Sequence, residues 1–109
     1  MKCIEERQND ITILGLCGRM DSVTAQIVEQ RMLSLIEGGN HHLVVDCAQL
    51  AYISSAGLRV FLMAAKRVTQ AKGKLIFTRL NDEVRQVFDL TGFSTILQIC
   101  RSREEAILH

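Results

Sequence analysis

Two adjacent serines, Ser54 and Ser55, stand where an apolar, strand-like stretch gives way to a helix-periodic one, in the segment LVVDCAQLAYISSAGLRVFLMAAKR from Leu43 to Arg67. A serine at a helix start has three uses. It can cap the helix, because its oxygen accepts from a backbone N–H that has no acceptor within the helix. It can accept a phosphoryl group, since the same free N–H groups and the helix dipole favour negative charge. It can also act as a nucleophile, which requires a base and an oxyanion hole. The third use lacks its surroundings. Ser55 is not in a G-x-S-x-G turn, and Leu58 stands where an S-x-x-K pair would need its lysine. Capping and phosphorylation both remain open on the pattern alone. Ala56 and Gly57 follow, and their small side chains leave the helix start open to close approach by another chain.

Other chemistry is poorly supplied. Cys3, Cys17, Cys47 and Cys100 are too far apart for a C-x-x-C metal or redox pair and are expected as buried thiols among apolar neighbours. His41 and His42 fall in a Gly-Gly-Asn-His-His turn and His109 at the end of the chain, so all three are expected at the surface. There is no glycine-rich phosphate loop. No metal and no cofactor are expected.

Composition narrows the classes further. The chain has 109 residues, 48% hydrophobic and 23% charged, with a net charge of +1. That length suits a single domain spanning residues 1–109. The near-neutral charge argues against direct nucleic-acid binding. No apolar run approaches the roughly 18 residues of a membrane span, and the polar start MKCIEERQND lacks the apolar core of an export signal. Membrane insertion is not expected, and a cytoplasmic location is.

The elements that must position the serines read as β-β-α-β-α-β-α-β-α. Cys3–Arg7 and Ile11–Cys17 form an edge hairpin turning at Asn9-Asp10. Asp21 caps a helix whose apolar face is Val28, Met32, Leu35 and Ile36, and Gly38-Gly39-Asn40 closes it. Leu43-Val44-Val45 is a buried strand ending at Asp46, beside the serine loop. The helix Ser55–Lys72 lays the stripe Leu58, Phe61, Leu62, Ala65 and Val68 on a sheet, with Met63 also in the core. A strand at Lys74–Thr78 follows, then a helix capped by Asn81 and ended by Thr91-Gly92, then a strand at Thr95–Ile99. Ser102 and Glu105 make a capping box for a short last helix. Alternating strands and helices imply a mostly parallel α/β sheet with one antiparallel edge.

Several stretches carry a family resemblance. Tyr52-Ile-Ser-Ser-Ala-Gly-Leu-Arg-Val resembles the signature of the STAS domain of bacterial anti-sigma factor antagonists, which usually reads Asp-Ser-Ser/Thr-Gly-Leu. Gly18-Arg-Met-Asp21, Gly73-Lys-Leu-Ile-Phe and Val84-Arg-Gln-Val-Phe-Asp-Leu-Thr-Gly-Phe93 resemble further family stretches in the same order. Here Ser54 replaces the usual acidic residue and Ala56 the following hydroxyl residue. The resemblance implies a STAS-like fold with about four helices, and no enzyme. It implies that an anti-sigma factor of the serine-kinase type is the partner, that the unphosphorylated protein binds it and frees the sigma factor, and that phosphorylation at Ser55 ends the binding. Asp21, Asp46, Ser54, Ser55, Ala56, Gly57 and Arg59 are then the expected partner-binding residues. A stand-alone STAS subunit of a stressosome-like scaffold, or of a lipid or anion transporter, is the alternative. Monomer and homodimer both stay open.

Overall fold

Alternation of side chains along adjacent strands builds two apolar faces on one sheet. Leu14, Val45 and Phe77 point to one side, while Ile13, Val44 and Ile76 point to the other. The computed structural model describes residues 1–108, and His109 lies outside them. The chain runs β1 (Lys2–Gln8), β2 (Ile11–Met20), α1 (Thr24–Glu37), β3 (His42–Ile53), α2 (Ser55–Gln70), β4 (Lys74–Thr78), α3 (Asp82–Thr91), a 3-10 turn (Phe93–Thr95), β5 (Gln98–Cys100) and α4 (Arg103–Leu108). The sheet order is β1-β2-β3-β4-β5. β1 pairs with β2 antiparallel, and the other neighbours are parallel. Helices α1, α2 and α3 cover the larger core; α4 covers the other face with Ala106 against Ile13, Val44 and Ile76.

The element order and the mixed sheet agree with the sequence reading, as do three local signals. Asn81 accepts from Val84 N–H at 2.8 Å and caps α3. Gly92 ends α3 in the left-handed region at φ 81°, which glycine adopts without a Cβ penalty. Ser102 Oγ accepts from Glu105 N–H at 3.1 Å at the start of α4.

Several boundaries and burials differ. β3 does not end at Asp46 but runs on to Ile53. Cys47, Leu50 and Ile53 keep pointing into the core, while exposed Gln49, Ala51 and Tyr52 interrupt the apolar run that marks a strand. Only β2 accompanies this extension, with register shifts between Gly15 and Cys17 and between Gly18 and Arg19. The final strand starts at Gln98, because Phe93–Thr95 takes a 3-10 turn in which Thr95 Oγ1 donates to Gly92 O at 2.7 Å. His42 is the half-buried first residue of β3 rather than part of an exposed turn. Only Cys47 and Cys100 are buried; Cys3 and Cys17 are partly exposed on strands near the sheet edge.

Helix α2 is rotated slightly from the predicted stripe. Its buried face is Gly57, Leu58, Val60, Phe61, Ala64 and Val68; Leu62 and Ala65 sit half-buried on the flank, and the helix stops at Gln70. Phe61 anchors this face, with ring centroids 4.6 Å from Phe77 and 6.2 Å from Phe88. Met32 is core as expected, whereas Met63 is only partly buried.

Candidate functional site

The start of α2 divides labour between the two serines. Ser54 is extended at φ −94° and ψ 175°, and its Oγ accepts from Gly57 N–H at 3.3 Å. Its carbonyl accepts from Leu58 N–H at 3.0 Å, and its own N–H donates to Met20 O at 2.9 Å. Ser54 therefore caps the helix and ties it to the end of β2. Ser55, the first helical residue, is exposed. The capping need is met by Ser54, so the Ser55 hydroxyl has no capping duty. No acidic residue occupies the first turn of α2 to compete for that position.

Gly57 lets the helix come close. A Cβ there would lie 2.7 Å from Ile53 Cγ1 and 3.0 Å from Met20 Cγ. The residue is buried against the strand ends, so its part in the site is to seat α2. Ala56 is partly buried beside it, and Arg59 is exposed one turn on from Ser55.

Asp21 lies in the turn that follows β2, adjoining the Met20–Ser54 bond. Its Oδ1 accepts from Val23 N–H at 3.0 Å and Thr24 N–H at 2.9 Å. The helix itself begins at Thr24, so Asp21 caps the entering turn from three residues upstream. The hydrogen bond from Thr24 N–H leads the causes that hold its carboxyl below the ordinary value.

Between α1 and α2 runs an open groove of about 510 Å³ lined by Ser22, Gln26 and Glu29 on one side and Ala56, Arg59 and Met63 on the other. Sequence reasoning missed this groove, and also the exposed apolar pair at the start of α1, where Val23 is 71% and Ile27 49% exposed. A signal existed: Val23 and Ile27 are four apart and lie off the stripe Val28, Met32, Leu35 and Ile36.

Asp46 is elsewhere. Its side chain, 3% exposed, turns to the α4 side of the sheet. It accepts from Arg79 Nε at 3.0 Å, Arg103 Nε at 2.6 Å and Ala48 N–H at 3.0 Å, with a further contact from Arg79 Nη2. Burial alone would raise its pKa, but the bonds from Arg79, Ala48 and Arg103 outweigh burial and hold it low. Arg103 also bonds Glu6 Oε2 at 2.9 Å. The expected placement of Asp46 beside the serine loop is thus corrected: β3 continues past it, and its buried carboxylate is committed to an ion cluster whose arginines reach the surface. Cys47 offers no nucleophile, because full burial, with Asp46 alongside, pushes its thiol pKa up.

Among the described residues no cluster of three His, Cys, Asp or Glu could hold a metal ion. No helix of the described chain is long and apolar enough to cross a membrane.

A five-stranded, mostly parallel sheet with helices on both faces and an exposed serine at the start of α2 defines a class of small α/β domain. The STAS domain family matches residues 4–106, and the chain belongs to that family. The chain is 37% identical over 106 residues to a protein of Bordetella bronchiseptica named "Putative anti-sigma factor antagonist BtrV", covering 97% of this chain and 91% of that one. An anti-sigma factor antagonist from Mycobacterium paratuberculosis superposes with a TM-score of 0.89 at 19% identity, covering 98% of this chain and 91% of that one. The Bacillus cell fate determinant SpoIIAA in its phosphorylated form superposes with a TM-score of 0.75 at 18% identity, covering 97% and 96% of the two chains.

Proposed function

We propose that this chain is an anti-sigma factor antagonist whose unphosphorylated form binds an anti-sigma factor with serine-kinase activity, and that phosphorylation of Ser55 ends the binding. The observation that carries the reading is the division between the serines: Ser54 holds the helix cap, and the exposed Ser55 is left with a free hydroxyl. The name and near-complete overlap of the Bordetella relative support the partner class. That the same fold exists in a phosphorylated form, in SpoIIAA, supports a phosphate on this architecture.

The chemistry falls to the partner. Ser55 Oγ attacks the γ-phosphorus of the kinase's ATP, the new O–P bond forms as the bond to the bridging oxygen breaks, ADP leaves, and the hydroxyl proton passes to a kinase base. The domain supplies an accessible hydroxyl on a rigid helix and is a binding module rather than an enzyme. Phosphoserine then adds about −1.5 to −2 charges at pH 7. A partner surface covering Ser55 must desolvate that charge. A penalty of only about 3 kcal/mol lowers affinity roughly a hundredfold.

Affinity purification coupled to mass spectrometry tests both halves. The expected result is co-purification of an anti-sigma factor kinase and phosphate on Ser55. Ser55→Ala should bind that partner and resist the kinase, and Ser55→Asp should bind more weakly at an unchanged melting temperature. Modification of Ser54 with Ser55 untouched would reassign the acceptor, and no modification of either serine would remove the switch.

A further inference from the structure

Arg59 has no acid to pair with on its own helix, because α2 contains neither aspartate nor glutamate from Ser55 to Gln70. At helical spacing its neighbours are Ser55 and Ala56 one turn back and Leu62 and Met63 one turn on. Ser55 is the polar one among them. Across the groove Glu29 shares the lining with Arg59, yet among the described residues Arg59 has neither an ion pair nor a side-chain hydrogen bond. Arg7, Arg19, Arg31, Arg79, Arg85 and Arg103 each have a partner, whereas among the described residues Arg67 and Arg101 have none, and neither of these two lies within one helical turn of Ser55. An exposed, uncommitted guanidinium thus stands one helical turn from the proposed acceptor hydroxyl.

We propose that Arg59 is the partner of the phosphate on Ser55. On modification its guanidinium folds back along α2 and forms a bidentate pair with the phosphoryl oxygens, leaving the groove. The proposal rests on reading Ser55 as the acceptor. The geometry suits it, because side chains at i and i+4 have Cβ atoms about 5–6 Å apart, well within the reach of an arginine. The order is also the favourable one, with the anion N-terminal to the cation. A planar fork of N–H donors matches phosphate oxygens better than a lysine ammonium does. Phosphorylation then alters the surface twice: it adds a dianion at Ser55 and withdraws a cation from the α1–α2 groove. Other charges near this end of the fold are Asp21 before α1, Glu29 on α1 and Arg19 on β2, whose guanidinium lies 4.2 Å from the centre of the Tyr52 ring. They are the same in every variant below.

The test uses the full chain with phosphoserine incorporated at position 55 during synthesis, so it needs no kinase. Phosphorus NMR titrations of the parent, Arg59→Gln and Arg59→Lys proteins read the second ionisation of the phosphate, ordinarily near pH 6. The expected result is a parent value lower than that of Arg59→Gln by about 0.3 unit or more, with Arg59→Lys between them. Values for the parent and Arg59→Gln that agree to within less than about 0.3 unit overturn the proposal. Such agreement, with kinase-dependent release of the partner intact, would remove Arg59 and leave the Ser55 switch. A shifted phosphate with no cognate kinase acting on Ser55 would do the reverse.

Discussion

At the residue scale, two neighbouring hydroxyls with different environments should respond differently to the same substitution. Ser54→Ala removes a helix cap and should cost about 0.5–2 kcal/mol in denaturant unfolding. Ser55→Ala removes an exposed hydroxyl with no capping duty and should stay within about 0.5 kcal/mol of the parent. Equal costs would mean that both serines share the cap. Gly57→Ala tests the close approach of α2 to the strand ends. The added methyl must displace Ile53 and Met20 side chains that already stand 2.7 and 3.0 Å from its position. Overpacking of this kind costs about 1–3 kcal/mol, offset in part by the roughly 1 kcal/mol by which alanine favours a helix over glycine. A net loss of stability is expected; a gain would show that the strand ends yield freely.

At the element scale, what could be read in advance is what depends on near neighbours. The Asn81 and Ser102 caps are contacts three residues long, and Gly92 needs only its own backbone. The faces of α1 were visible through Val28, Met32, Leu35 and Ile36 for the same reason. The length of β3 was not, because its extension is specified by β2 lying alongside, not by an apolar run of its own. The rotation of α2 was missed because Gly57, Val60 and Ala64 look less like core than Leu62, although Gly57 and Ala64 permit the closer packing. Two substitutions separate the predicted face from the observed one. Phe61→Ala should cost about 3–5 kcal/mol, since the ring is fully buried between Phe77 and Phe88. Leu62→Ala, half-buried on the flank, should cost clearly less than the roughly 2–5 kcal/mol of a fully buried leucine. Comparable losses at the two positions would return α2 to the orientation first expected.

At the scale of the whole molecule, Asp46 joins parts that are distant in sequence. Arg79 follows β4, Arg103 opens α4, and Glu6 of β1 holds Arg103 from the other side. These partners lie 33 and 57 residues from Asp46, so no local pattern announced them, and the aspartate looked like a contact beside the serines. Arg79 and Arg103 are partly solvated, so Asp46→Ala leaves no buried charge behind but takes the acceptor from both and from Ala48 N–H. It should cost about 1–3 kcal/mol and leave Ser55 chemistry unchanged. The acid response follows from the lowered carboxyl pKa. An unfolded aspartate titrates near 3.9. The stabilisation is fully present above about that pH and is lost as the pH falls from there through the lower folded value. Unfolding curves at neutral pH and below about pH 4 should therefore converge for the parent and Asp46→Asn proteins as acid is added. A constant gap between them would show that the cluster adds no pH-dependent stability.

The part of β3 beyond Asp46 has β2 on one side, while β4 stops opposite Asp46 on the other. A strand with an open side is a template for a strand from another molecule. Here Asn81 occupies that side. Its Nδ2 donates to Leu50 O at 2.9 Å, and its Oδ1 accepts from Val84 N–H at 2.8 Å. One amide thus both starts α3 and blunts a sheet edge. Loss of this side chain would be felt in colloidal behaviour as well as in melting: concentrated Asn81→Ala protein should seed fibrillar aggregates under conditions that leave Asp82→Ala clear.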